Sequence, residues 1–286
     1  MNPSIKHLTL FFLSIVFILI IVPYFFPKKY FEPSSLTYAS PSWQHLCGTD
    51  LNGRDLLMRM LMGSRISLLI GCCGALISLV IGTTYGMIAG YCGGVWDGAM
   101  TRFIDVLYAI PRLIFVLILM SVFNDHLQQS AYRHGWNSLV GWSRISILVL
   151  SLGLIEWLTM ARIIRGQTLS LKELPFIAAA KILGQGHLMI LWRHLLPNLA
   201  GVLSLYTMLS IPAVIIDEAF LSFLGLGVQA PQASLGSLLA EGASAINPLH
   251  SAWWTLFFPA MLLLVILLTL YQLGDVVRKI QNNSLE

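Results

Sequence analysis

Six stretches of this chain are each long and apolar enough to cross a membrane: residues 8–26, 66–90, 103–123, 145–165, 199–220 and 252–273. A helix rising 1.5 Å per residue needs about 20 residues to traverse roughly 30 Å of hydrocarbon. Lipid satisfies no backbone hydrogen bond, so each stretch must be a helix or belong to a closed barrel. A barrel would show shorter, alternating segments. The expected fold is therefore an all-α polytopic membrane protein with six transmembrane helices. Composition agrees: 57% of the 286 residues are apolar and 10% are charged, against about 25% charged in a soluble domain. The small residues Gly71, Gly74, Ala75, Gly82 and Gly86 in the second stretch allow a neighbouring helix to come close.

The remaining composition excludes several classes. The net charge of +4 is modest, and no basic patch with interleaved aromatics marks a nucleic-acid surface. The four cysteines form neither a metal-binding spacing nor a disulfide framework; Cys72 and Cys73 sit side by side in an apolar run. The first apolar run is long enough to span and lacks a small-x-small cleavage site, so it is read as an uncleaved helix. With the N-terminus inside, seven of the 17 Lys and Arg residues fall outside, namely Lys28, Lys29, Arg54, Arg59, Arg65, Arg133 and Arg144. This weak bias places both termini in the cytoplasm. Trp253, Trp254 and Tyr271 stand where interfacial anchors are expected.

The chain divides into an N-terminal helix with an external segment (1–44), an amphipathic segment expected to lie in the interface (45–65), and a helical domain (66–280). Within the last, residues 173–198 read ELPFIAAAKILGQGHLMILWRHLLPN. A short helix is expected from Glu173 to Leu183, with Pro175 in its first turn and a break at Gly184 and Gly186. A second helix should run from about His187 to Leu195 and be ended by Pro197. Such a hairpin buries too little against itself to stand alone. It either lies on the bilayer as an amphipathic connector or is covered by another protein.

The spacing of this loop resembles the EAA loop of ABC-importer permeases. Ala178-Ala179-Ala180 is followed by Gly184 and then by His194-Leu195-Leu196-Pro197. The glutamate for which that loop is named is Ala178 here, as is frequent in the dipeptide/oligopeptide/nickel branch. Other segments are similar to the C-type permeases of that branch and occur in the same order. They are HLCGTDLNGRDLLMRMLMGSRISLLIG at 45–71, GMIAGYCGGVWDGAMTRFIDVLYAIP at 86–111, ARIIRGQ at 161–167, EAFLSFLGLG at 218–227, and Leu273-Gly274-Asp275 with Arg278. Two departures lie at the edges: the family's usual tryptophan is Leu235, and its usual DPR ending is absent.

The resemblance implies a type-I ABC importer transmembrane domain in a bacterial inner membrane. Its partners would be a second, homologous permease forming a heterodimer, two cytoplasmic ABC ATPase subunits and an extracytoplasmic peptide-binding protein. Ala178, Ala179, Ala180, Lys181, Gly184, His194, Leu196 and Pro197 would form the ATPase-coupling loop, with Ala179 and Ala180 packing closely against the ATPase. The chain would be non-catalytic and bind no cofactor, with ATP and Mg used by the ATPase partners. The sequence carries no G-x-x-x-x-G-K-S/T phosphate loop and no Gly-Lys pair.

Three ionisable residues within or at the ends of the spans are candidates for pore or gating roles, as such residues are by default. Asp105 stands three residues from Arg102, the spacing of an ion pair along one helix. Glu156 lies deeper, with Arg162 and Arg165 further along its span. Glu218 is expected to hold the backbone of the GLG segment that follows it. His187 and His194 are seven residues apart with no third ligand nearby, so no metal site is expected. Other readings are the same family with nickel or another small solute as cargo, an ion-gradient-driven secondary transporter, and a membrane-embedded enzyme. The secondary transporter leaves the EAA-like hairpin unexplained. The enzyme lacks a nucleophile elbow or H-E-x-x-H motif.

Overall fold

The computed structural model describes residues 35–133, 140–230, 232–247 and 250–283. The first expected span, 8–26, lies outside them. Nine helices follow one another in these residues: α1 Leu56–Cys92, α2 Gly94–Tyr108, α3 Arg112–Arg133, α4 Val140–Leu171, α5 Pro175–Ile182, α6 His187–Ile190, α7 Leu196–Phe223, α8 Leu235–Ala245 and α9 Trp254–Asn283. A two-residue ladder, β1 Ile246–Asn247 with β2 His250–Ser251, interrupts the otherwise helical chain before α9. Four helices have the length and composition of single spans: Leu56–Cys92, Ser143–Leu171, His187–Phe223 and Trp254–Lys279.

Three boundaries differ from the sequence expectation. Residues 56–65 are not a separate interfacial helix but the first turns of α1, which runs unbroken for 37 residues. Asp55 starts it, its side chain accepting from Met58 N at 3.1 Å, and the helix runs through its internal glycines to Gly93, where φ turns to +69°. The stretch 103–123 is not one helix either. It breaks at Ala109–Pro111, and α2 and α3 meet at 85°. Pro111 disfavours helical geometry in the residue before it and supplies no N–H. Finally, Pro197 does not end the second helix of the 173–198 loop. α6 passes through a π-helical turn, Leu191–Leu195, directly into α7. The wider turn lies just upstream of Pro197, and Asn198 Nδ2 donates to the carbonyl of His194 at 2.6 Å.

α1 packs most extensively on α4 and next on α7. Its glycines lie along these contacts. A Cβ on Gly74 would stand 2.9 Å from Val214, one on Gly82 2.6 Å from Met160, and one on Gly86 2.5 Å from the carbonyl oxygen of Ala161. Lipid tails are as apolar as these side chains, so close backbone approach and dispersion hold the helices together. α8 packs between α1, α7 and α9 at the end away from the 173–198 loop, where Leu56, Leu68, Ile215, Leu235, Leu238 and Ile266 share one core. Leu235, the departure from the family pattern, is fully buried there.

The segment before α1 is tied down by charge. Asp50 accepts from Arg54 Nε at 2.8 Å and from Arg59 Nη1 at 2.7 Å, and Arg59 also reaches Glu241 on α8. Close by, burial and then the Asp55 carboxylate push the Cys47 thiol up to about 11. At pH 8 its thiolate population should be roughly a hundredth of that of an ordinary cysteine. Iodoacetamide should therefore modify Cys47 slowly, with a rate still climbing at pH 10. A plateau by pH 9 would contradict this.

Candidate functional site

The 173–198 loop is a braced hairpin. Pro175 opens α5 at its first position, where the missing N–H is not needed. The helix ends in a left-handed glycine cap. Gly184 has φ +75°, Gln185 N donates to Ala180 O at 3.1 Å, and Gly184 N donates to Lys181 O at 3.0 Å. Across the turn, His194 Nε2 and Gln185 Oε1 are 2.6 Å apart. Ile177, Ala180, Ile190, Leu191 and Leu195 turn inward and pack with Met87 on α1 and with Met160 and Ile164 on α4. Tyr91 OH lies 2.9 Å from His187 Nδ1, and Lys172 Nζ donates to Gly90 O at 2.9 Å.

This bracing sorts the loop residues. Ala178, Ala179, Lys181, Gly184 and Pro197 are exposed, and His194 and Leu196 are half-buried. Ala180 is 2% exposed and packs inside the chain, so it does not present a face to a partner as the sequence reading had it. Lys181 sits over the Tyr91 ring, 5.5 Å from its centroid. On the outer side of the hairpin, Ile182 (87% exposed), Leu183 (78%), Leu188 (72%) and Trp192 (60%) form an apolar ridge. His187 and His194 engage different partners. Among the described residues no group of three His, Cys, Asp or Glu is placed to hold a metal.

The intramembrane carboxylates acquire partners that their sequence neighbours do not predict. Asp105 pairs with Arg162 Nη2 on α4 at 2.8 Å, and not with Arg102. Arg102 lies on the same helix, but the α4 guanidinium faces Asp105 across the seam. Glu156 pairs with Arg112, and not with Arg162 or Arg165. Arg112 Nη2 also lies 2.8 Å from Asp217 on α7. Arg165 instead holds Asp97, at 2.7 Å through Nη2. Arg112 follows the break at Pro111, and the 85° turn swings it between α4 and α7. The sequence reading had not singled it out; its position directly after a proline inside an apolar run was the available signal.

Glu218 is 0% exposed and organises the segment after α7. It accepts from Ser222 Oγ at 2.7 Å and from Ser67 Oγ at 2.9 Å. Those hydroxyls in turn accept from Val228 N at 3.0 Å and Leu235 N at 3.3 Å. One carboxyl thus fixes, through two hydroxyls, both the turn after α7 and the start of α8. The turn repeats the loop's cap: Gly225 has φ +78°, and Leu226 N donates to Leu221 O at 2.9 Å. Arg144 on α4 closes it from outside, with Nε donating to Gly227 O at 3.0 Å.

The oligopeptide transport system permease protein OppC of Haemophilus influenzae is 40% identical over 269 residues, covering 92% of this chain and 79% of that protein. The dipeptide transport system permease protein DppC of Bacillus subtilis is 38% identical, covering 93% and 78%. OppC of Escherichia coli K12 is 42% identical, covering 82% and 70%. A chain of the MetNI methionine ABC transporter superimposes with a TM-score of 0.58 at 18% identity, over 78% of this chain and 95% of that one. At that identity the likeness concerns the fold. Residues 82–284 match the family described as "Binding-protein-dependent transport system inner membrane component". The chain therefore belongs to that family of multi-pass inner-membrane transport components.

Proposed function

We propose that this chain is one of two homologous permease subunits of an ABC importer for oligopeptides or dipeptides. A second permease completes the passage, two cytoplasmic ATPases bind and hydrolyse ATP with Mg, and an extracytoplasmic binding protein delivers the peptide. Both termini and the 173–198 loop lie on the cytoplasmic side. The peptide cargo rests on the named activity of the OppC and DppC relatives.

The observation that carries the coupling role is the apolar ridge of Ile182, Leu183, Leu188 and Trp192 on a hairpin braced against α1 and α4. Side chains of that size, gathered on a hairpin at the cytoplasmic start of the long helix His187–Phe223, belong against another protein. Closure of the ATPases would push the ridge. The bracing of the hairpin by Met87, Met160 and Ile164 would pass the displacement to α1 and α4 as a rigid-body movement.

Replacing Gly184 with tryptophan tests this. Apart from its chain neighbours, no atom of the described residues lies within 4 Å of a Cβ built there. The left-handed backbone costs about 1 kcal/mol with any side chain, so the variant should reach the membrane in near-normal amount. A clash with a docked ATPase of only about 1.4 kcal/mol lowers ATPase recovery on co-purification about ten-fold. Undiminished recovery of the ATPases with Gly184→Trp would overturn the coupling role.

A further inference from the structure

Along α4, Glu156, Thr159 and Arg162 follow one another at three-residue spacing, each on the surface next to the last. Each meets a polar partner from the bent pair α2–α3. Glu156 meets Arg112, Thr159 Oγ1 lies 2.7 Å from Tyr108 OH, and Arg162 holds Asp105 while its guanidinium stacks 4.3 Å over the Tyr108 ring. Arg165 with Asp97 continues the seam to the loop end of the helix.

The depth of this seam is the informative point. The span Ser143–Leu171 is centred near Trp157, so Glu156 and Thr159 lie near its middle. Arg162 is about 7 Å further along at 1.5 Å per residue, still inside a hydrocarbon half-thickness of about 15 Å. Yet Arg162 is 49% and Asp105 55% exposed by side chain. An ion pair facing lipid at that depth is strongly disfavoured. The fold has purely apolar faces for lipid, such as Phe257, Met261, Leu264 and Leu268 on α9.

Water is favoured over a covering protein by Arg112. Its two ion pairs both use Nη2. Its side chain is 43% exposed, and the other guanidinium N–H groups meet no partner among the described residues. Arg112 borders a cavity of about 140 Å³ at the helix break, whose other polar lining is Tyr108 and Thr159 among apolar residues such as Pro111, Phe115 and Ile155. Guanidinium donors at mid-depth need acceptors, and water in a passage supplies them.

We propose that the Glu156–Thr159–Arg162 seam, with Arg112, Tyr108 and Asp105, is this chain's wall of a water-filled passage for a hydrophilic solute. The proposal rests on the permease reading and names the surface that performs it. The experiment uses the assembled transporter in membranes, with Cys47, Cys72, Cys73 and Cys92 replaced by alanine and single cysteines introduced. Thr159→Cys, or Tyr108→Cys from the facing helix should the first fail to assemble, is compared with Leu264→Cys. The probe is a negatively charged methanethiosulfonate, and co-purification of the ATPases is scored on the same samples. The wall position should react about ten-fold faster or more, because a thiolate forms in water and not in hydrocarbon. Equal, slow labelling at both positions in a complex that retains its ATPases would mean the seam is sealed against the second permease. That overturns the wall while leaving the permease role standing. Failure of the cysteine-free parent chain to recover any ATPase, with its four natural cysteines restored as well, would remove both.

Discussion

Replacing Gly86 with leucine is expected to separate α1 from α4 and to remove most of the folded protein from the membrane. Even a methyl group at this position would stand 2.5 Å from the carbonyl oxygen of Ala161 and 3.0 Å from Arg165 N. Both obstacles are backbone, so no rotamer change relieves them and the helices themselves must move apart. Overpacking of this kind costs about 3 kcal/mol, which lowers a thermal midpoint in detergent by roughly 6–12 °C for a chain of this size. Gly86→Ala should shift the midpoint in the same direction by less. Gly98→Leu supplies the contrast, since outside its own helix turn no atom of the described residues lies within 4 Å of a Cβ there. A Gly86→Leu protein that melts with the wild type would show that α1 and α4 do not meet at this distance.

Replacing Glu218 with alanine should loosen the segment between α7 and α8 in particular. The substitution takes the acceptor from Ser67 and Ser222, both buried, and those hydroxyls hold Leu235 N and Val228 N. Each buried hydroxyl left without its partner costs about 1–3 kcal/mol, so a loss of about 3 kcal/mol is expected. Glu218→Gln keeps one acceptor oxygen and should lose less. The discriminating measurement is limited proteolysis of the purified protein in detergent. Glu218→Ala should be cut between α7 and α8 much faster than wild type, while the 173–198 loop at the other end is cut at an unchanged rate. Equal acceleration at both ends would show general unfolding and contradict the positioning role assigned to Glu218.

How much of this was legible beforehand depended on the range of the physical rule involved. The glycines of α1 were readable as a close-packing face because their spacing along one helix carries that information. Gly184 was readable as the end of α5, and Glu218 as a support for the segment after it, because caps and turns act over a few residues. Prolines show where such local rules stop. Pro111 stands at an 85° break, while Pro212 and Pro259 lie inside the continuous helices α7 and α9. The same ring constraint acts at all three. Whether the helix continues depends on what neighbouring helices supply to the backbone groups it frees.

The charged residues divide in the same way. Sequence proximity assigned Asp105 to Arg102 and gave Glu156 no partner of its own, only Arg162 and Arg165 further along its span. The folded chain joins Asp105 to Arg162 and Glu156 to Arg112, partners 57 and 44 residues apart. An apolar segment of helical length can do little in lipid except span it, so the primary structure alone dictated the membrane class, the helical architecture and the hairpin with its glycine cap. Which carboxylate meets which guanidinium, which alanine of the hairpin is buried, and which face of α4 is polar depended on packing between distant segments. Coulomb attraction and steric fit act through space and carry no memory of position along the chain.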